Sequence, residues 1–176
     1  MADRILIYGV TGSGKTTLAA QIAERTQLPW HSVDDLTWEP GWVEVPVDEQ
    51  RRRIELICSS ERWILDTAYS RWMEVPKGRV DLIVALDYPR WLSLARLLRR
   101  SARRVVRREQ TCNGNVETMG KLLGDDSIIR WHFRSFGRKR ARIHEWIMDS
   151  SGPPVVRFRS PCQTREWLAT LGPEGS

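Results

Sequence analysis

The chain is poor in the features of secreted, disulfide-bonded or membrane-spanning proteins. Its 176 residues include three cysteines, Cys58, Cys112 and Cys162, an odd number with no C-x-x-C pair. That usage excludes a disulfide framework and fits free thiols in a reducing compartment. No apolar run approaches the roughly 20 residues needed to cross a bilayer. Met1-Ala2-Asp3-Arg4 leads straight into an apolar segment, so no signal peptide and a cytoplasmic location are expected. The N/T-K-x-D tetrapeptide of guanine recognition is missing, which ranks a GTPase last. Helix-turn-helix, zinc-finger and RRM signatures are also missing. There is no internal repeat, and the length suits one domain spanning 1–176.

What is plentiful is positive charge. Twenty-eight Lys and Arg against 22 Asp and Glu give a formal net charge of +6, which favours anionic partners, nucleotides and nucleic acids alike. The excess concentrates in 96–108 and 130–142. Nine tryptophans are many for this length; most are expected in the core or in pocket walls.

The most informative segment is Gly9-Val10-Thr11-Gly12-Ser13-Gly14-Lys15-Thr16, which fits G-x-x-x-x-G-K-[ST], the phosphate-binding P-loop. Arg4-Ile5-Leu6-Ile7-Tyr8 before it reads as a buried parallel strand. Thr17-Leu18-Ala19-Ala20-Gln21-Ile22-Ala23 after it reads as a helix. In such a turn the glycines let successive N–H groups point at phosphates, and the helix N-terminus adds partial positive charge. Gly9, Gly12, Ser13, Gly14, Lys15, Thr16 and Thr17 are therefore the expected nucleotide-binding residues. Lys15 would reach the β- and γ-phosphates of ATP, and the Thr16 hydroxyl would bind Mg²⁺.

Strands and helices alternate along the rest of the chain, the pattern of a parallel α/β sheet. Strands are expected at 4–8, 28–33, 62–65, 81–86 and Val155–Phe158, with helices at 47–60, 89–108, 127–149 (bent at Gly137) and 164–171. Pro40-Gly41 suits a type II turn. The polar, glycine-containing stretch 110–126 reads as a lid loop. The expected fold is a three-layer P-loop domain with a five-stranded parallel sheet and a helical or loop lid around 109–127.

Such a site needs an acid at the end of a neighbouring strand to hold Mg²⁺ or its waters. Two segments end an apolar run in aspartate, Trp63-Ile64-Leu65-Asp66 and Val84-Ala85-Leu86-Asp87. Asp87-Tyr88-Pro89 looks like a helix start with Asp87 as N-cap. Asp66 is followed by no helix-start pattern and is the preferred metal-shell acid. In 96–108, seven arginines recur at helical spacing, with Leu94, Leu98, Ala102 and Val105 opposite as the expected core face. Eight like-charge pairs at i,i+3 and i,i+4 each cost about 0.2–0.5 kcal/mol, so either an anionic ligand or a solvated face is implied.

These segments resemble the adenylate kinase and nucleoside-monophosphate-kinase superfamily, in particular its FlaR-type branch of DNA topology modulation proteins. The resemblance rests on 5–17, on Asp34-Asp35-Leu36-Thr37-Trp38-Glu39-Pro40-Gly41-Trp42, on Trp63 to Asp66 with Tyr69-Ser70-Arg71, and on Leu86-Asp87-Tyr88-Pro89-Arg90-Trp91. It implies that Arg96 packs on adenine and that Arg100 contacts the ATP phosphates. It also implies that Asp125-Asp126 with Arg130 and Arg134 belong to a closing lid. The acceptor half departs from the pattern: the family's Asp-Gly-Phe-Pro-Arg segment loses its Gly and Pro at 66–71, and Leu36-Thr37-Trp38 replaces an acceptor-phosphate arginine. AMP is thus not implied as acceptor.

Two functions follow as expectations. The first is a Mg²⁺·ATP-dependent phosphotransferase acting on a small acceptor, a nucleoside monophosphate or similar. Lys15, Arg100 and lid arginines would stabilise the transferring phosphoryl group, and Asp34 or Asp35 would either orient the acceptor or cap the next segment. The second is a nucleotide-dependent DNA-binding regulator, with nucleic acid as a weak partner held by the basic helices. No membrane partner is expected, and the sequence leaves oligomeric state open.

Overall fold

The protein is described here from a computed structural model covering residues 2–67, 71–107, 110–111, 113–116 and 128–171. The strand β1 (Arg4–Gly9) is followed by α1 (Lys15–Thr26), β2 (Trp30–Ser32), α2 (Val33–Thr37), β3 (Trp38–Glu39) and β4 (Val43–Glu44). Then come α3 (Val47–Cys58), β5 (Trp63–Thr67), α4 (Glu74–Lys77), β6 (Leu82–Leu86) and α5 (Arg90–Arg107). The short strands β7 (Gln110–Thr111) and β8 (Asn115–Val116) precede α6 (Ile128–Met148), β9 (Val155–Phe158) and α7 (Pro161–Ala169).

Five strands form one all-parallel sheet in the order β2-β5-β1-β6-β9. The expected fold class is thus the observed one. Ile5, Leu6 and Ile7 are buried because β1 is central and helices cover both faces of the sheet. One face packs Leu6, Tyr8, Trp63 and Leu65 against Ile54 and Cys58 of α3 and Ile143 and Trp146 of α6. The other packs Ile5, Ile7, Ile64 and Val84 against Leu18, Ala19 and Ile22 of α1 and Leu168 of α7. Among the described residues, no helix is long and apolar enough to cross a membrane.

Several local expectations change. The second strand is only Trp30–Ser32, because Val33 opens a one-turn helix whose cap is the Ser32 hydroxyl, accepting from Asp35 N–H at 3.4 Å. Pro40-Gly41 does turn the chain, within the antiparallel hairpin β3–β4, and Gly41 takes φ 83°. The last helix starts three residues early, since Ser160 caps it and Pro161 occupies its first turn. Helix α6 spans Ile128–Met148 with Gly137 inside it.

The largest correction concerns α5. Its buried residues are Ser93, Leu97 and Ser101, whereas Leu98 is 43% exposed and Ala102 is also exposed. The reason is close approach: a Cβ on Gly12 would collide with the Ser93 backbone oxygen and press on Leu97. Small residues let α5 lie against the P-loop. Ser93 satisfies its hydroxyl by donating to Arg90 O at 3.1 Å and by pairing with His132 Nε2 of α6 at 2.9 Å.

Candidate active site

The site begins where β1 ends. Gly9 is followed by a turn closed by Ser13 N–H donating to Val10 O at 3.2 Å, and Gly12 and Gly14 take φ 81° and 99°. Both values lie where a side chain is strained, so glycine is required at these positions. Gly9 is constrained differently, by space: a Cβ there would stand 2.8 Å from Ser13 Oγ and 2.9 Å from Leu86 O. The turn delivers Lys15, Thr16 and Thr17 into the first turn of α1. Lys15 Nζ folds back to donate to Val10 O at 3.1 Å. Its pKa is lowered by burial, with Asp34 and Asp66 opposing that shift and Arg100 adding to it.

Strand order brings an acid to this turn. β5 lies beside β1 in parallel register, with Asp66 opposite Ile7. The Asp66 carboxylate is buried and accepts from Val33 N–H at 3.1 Å, and the Thr16 side chain acts on it from the first turn of α1. Burial raises its pKa, while Thr16, Val33 and Lys15 pull in the opposite direction. Thr16 and Asp66 offer a hydroxyl and a carboxylate at the P-loop turn, a candidate pair of oxygen donors for a divalent cation. Oxygen donors of this kind suit that ion.

Asp87 is different. It follows β6 on the other side of β1, and α5 begins only at Arg90, so the N-cap expectation fails. Its carboxylate instead sits between Arg140 of α6 at 3.3 Å and Arg157 of β9 at 3.4 Å. Burial raises its pKa, and Arg140, His144 and Arg159 pull it down by less, so the net direction is upward.

Arg96 reaches the turn from α5. Its Nη1 donates to Ser13 O at 3.2 Å, and its guanidinium lies 5.4 Å from the Tyr88 ring centre. Arg100 acts electrostatically on Lys15. Of the two candidate acceptor acids, Asp34 bears on Lys15, Asp66 and Lys139 together. Asp35 meets its surroundings through its backbone, N–H to Ser32 and O from Asn113. Arg71 pairs with Glu44 at 2.7 Å. Asp125, Asp126, Tyr69 and Ser70 lie outside the described residues, as does most of the 109–127 lid.

Two groups escaped the sequence reading. Lys139 of α6 is 5% exposed and donates from Nζ to Gly9 O at 3.2 Å. A signal existed: it falls in the inward stripe His132, Phe136, Ile143 and Trp146, where helical spacing otherwise puts core residues. The second group is a pair of amides on the β7–β8 hairpin. Asn113 Nδ2 donates to Asp35 O at 2.8 Å and Trp38 O at 2.7 Å. Asn115 donates to Glu39 O at 2.9 Å and accepts from Trp42 N–H at 2.7 Å. These amides clasp the segment that follows Asp34. Only Asn-Gly at 113–114, a common hairpin turn, hinted at the hairpin.

Compared with known proteins, the chain matches no family model and no curated protein sequence. It is similar in structure to small P-loop kinases. A shikimate kinase from Acinetobacter baumannii in complex with shikimate aligns over 95% of this chain and 89% of its own, with TM-score 0.58 and 17% identity. A gluconokinase from Sinorhizobium meliloti 1021 aligns over 95% and 90%, with TM-score 0.53 and 16% identity. A deoxyadenosine kinase from M. mycoides with bound dCTP aligns over 94% and 96%, with TM-score 0.51 and 11% identity. Identities this low carry the fold and no substrate.

Proposed function

We propose that this protein is a Mg²⁺·ATP-dependent phosphotransferase that acts on a small hydroxyl-bearing acceptor. The observation that carries the reading is the buried Asp66 carboxylate, held at the end of β5 by the Val33 N–H and acting together with Thr16 and Lys15 at the P-loop turn. When bound there, Mg²⁺ would neutralise charge on the β- and γ-phosphates. Thr16 and Asp66 would hold it, and Lys15 would balance the same phosphates. Backbone N–H groups from Gly12 to Thr17 orient the polyphosphate, Arg96 lies along the P-loop toward the base, and Arg100 adds charge near Lys15. Asp34 orients the acceptor hydroxyl. The reaction proceeds by positioning and charge stabilisation, with no covalent enzyme intermediate.

The chain is read as one such domain, cytoplasmic, with its lid in 109–127. The FlaR-type resemblance belongs to this reading as a relation of motif pattern and does not by itself assign DNA a role. Kinase neighbours that act on different small molecules support a phosphotransferase and leave the acceptor to experiment. The test is steady-state turnover of several nucleoside triphosphates against a panel of nucleoside monophosphates, nucleosides, polyols and hydroxy acids. Acceptor-dependent ADP formation that vanishes in Lys15→Ala is the expected result. Sequence-selective duplex binding without turnover would favour the DNA-binding regulator.

A further inference from the structure

Lys139 is a buried cation that the proposed reaction has not used. It projects from the inner face of α6, between Phe136 and Ile143, and reaches the carbonyl at the end of β1. Lys15 approaches the same place from α1 and donates to the next carbonyl in the chain, Val10 O. Two ammonium groups from opposite faces of the sheet are thus parked on consecutive carbonyls where β1 becomes the P-loop. An ammonium carries three donors, and one carbonyl engages one of them.

The surroundings oppose a second positive charge. Lys15, Arg138 and Arg142 all act against the Lys139 cation, and burial acts against it most. The Tyr8 ring centre, 5.7 Å from Nζ, and Asp34 act in its favour. A buried ammonium among other cations is stable only with good compensation. An incoming anionic oxygen would supply it. Asp34, proposed to orient the acceptor, and Lys15, proposed to hold the phosphates, both act electrostatically on Lys139, so it lies within reach of both halves of the proposed site.

We infer that Lys139 is a second phosphate-binding cation, engaging the terminal phosphoryl group of the bound triphosphate from the acceptor side. The inference rests on the P-loop phosphotransferase reading and adds a residue that discriminates ATP from ADP. Lys15 and the backbone N–H groups hold both nucleotides, whereas Lys139 would touch only the group that ATP has and ADP lacks.

The experiment is calorimetric titration of the full chain with Mg²⁺ and either ADP or the non-hydrolysable β,γ-imido analogue of ATP. Wild type, Lys139→Met and Lys139→Gln are compared, each with its melting temperature. Methionine keeps the volume without the charge, and glutamine keeps a donor for Gly9 O if methionine does not fold. The expected result is a loss of about tenfold or more in affinity for the triphosphate analogue, the worth of one charge-assisted hydrogen bond. ADP affinity should stay within about twofold, and the melting temperature should hold or rise, because a buried charge has been removed. Equal losses for both nucleotides, or an unchanged ratio, would overturn the role of Lys139 while leaving the P-loop reading intact. Wild type binding neither nucleotide would overturn that reading itself.

Discussion

The proposed donor side and the proposed acceptor side of this site are built in different ways. Residues 9–17 form the donor side as one contiguous segment, shaped by glycine conformation and backbone hydrogen bonds. The acceptor side is gathered from Asp34 and its following hairpin, from Asn113 and Asn115, and from Lys139. Partners there lie 73 to 130 residues apart in the chain. Side-chain amides gripping backbone groups hold it together. A contiguous turn suits a function common to many proteins, the binding of polyphosphate. A composite surface can change piece by piece, which suits the part of a phosphotransferase that differs between acceptors.

The comparison breaks most severely at Lys15. Lys15→Ala should weaken Mg²⁺·ATP binding by roughly a hundredfold and nearly abolish turnover, while hydrogen exchange in the β3–β4 hairpin stays as in wild type. Calorimetry and exchange mass spectrometry on the same sample check both halves.

Next in size is the contrast between the two strand-end aspartates. Asp66→Asn should lose about a hundredfold in the Mg²⁺-dependent rate without a fall in melting temperature at neutral pH. The sign follows from burial. A carboxyl whose folded pKa is raised gives stability below its ordinary range and loses it as pH rises through the folded value. Asparagine removes that cost. Asp87→Asn touches Arg140 and Arg157 rather than the P-loop, so its Mg²⁺ dependence should stay within about threefold of wild type, a change under 1 kcal/mol. Metal titrations of initial rates separate the two.

A smaller effect sharpens the acceptor side alone. Asn115 is 3% exposed, and Asn115→Ala leaves Trp42 N–H and Glu39 O without its amide. The expected cost is about 1–3 kcal/mol, with faster amide exchange at Trp42 and unchanged ADP affinity. Loss of ADP binding would show that the two sides are not separable.

The smallest effect lies in α3, away from both. Glu49 meets Arg52 at 2.7 Å and Arg53 at 2.9 Å, and their hydrogen bonds bring its pKa down from 4.5 to about 2. A depressed carboxylate gives stability above its unfolded pKa and loses it as pH falls through the folded value. Wild type should therefore exceed Glu49→Gln slightly in melting temperature at pH 6. The difference should disappear between pH 4.5 and 2.

The donor side was legible because its signals are local. A buried parallel strand is an apolar run, and the P-loop is a fixed spacing of residue types, so β1, β5, β6 and β9 and the turn at 9–16 could be read directly. The inner face of α5 was not, because hydrophobic periodicity chose Leu94 and Leu98 where close packing against Gly12 selected Ser93 and Leu97. Asp87 was misread because a short-range helix-start pattern competed with Arg140 and Arg157, which are distant in sequence. Lys139 and the two asparagines depend wholly on such distant contacts. Their residue types are common on solvated surfaces, and only tertiary structure distinguishes them.

The central claim is that directed bonds at the P-loop serve a small nucleotide, and that the arginines of α5 are not primarily a DNA-binding face. Parallel titrations of ATP with Mg²⁺ and of a DNA duplex across a salt series test it most directly, in wild type, Lys15→Ala, Arg96→Ala and Arg100→Ala. Counterion release makes non-specific duplex affinity fall steeply with salt. The expected result is micromolar-range ATP binding, an order-of-magnitude figure, that persists at physiological salt and weakens in all three variants while duplex binding fades. Sequence-selective duplex binding that survives physiological salt, with ATP affinity indifferent to Lys15, Arg96 and Arg100, would contradict it.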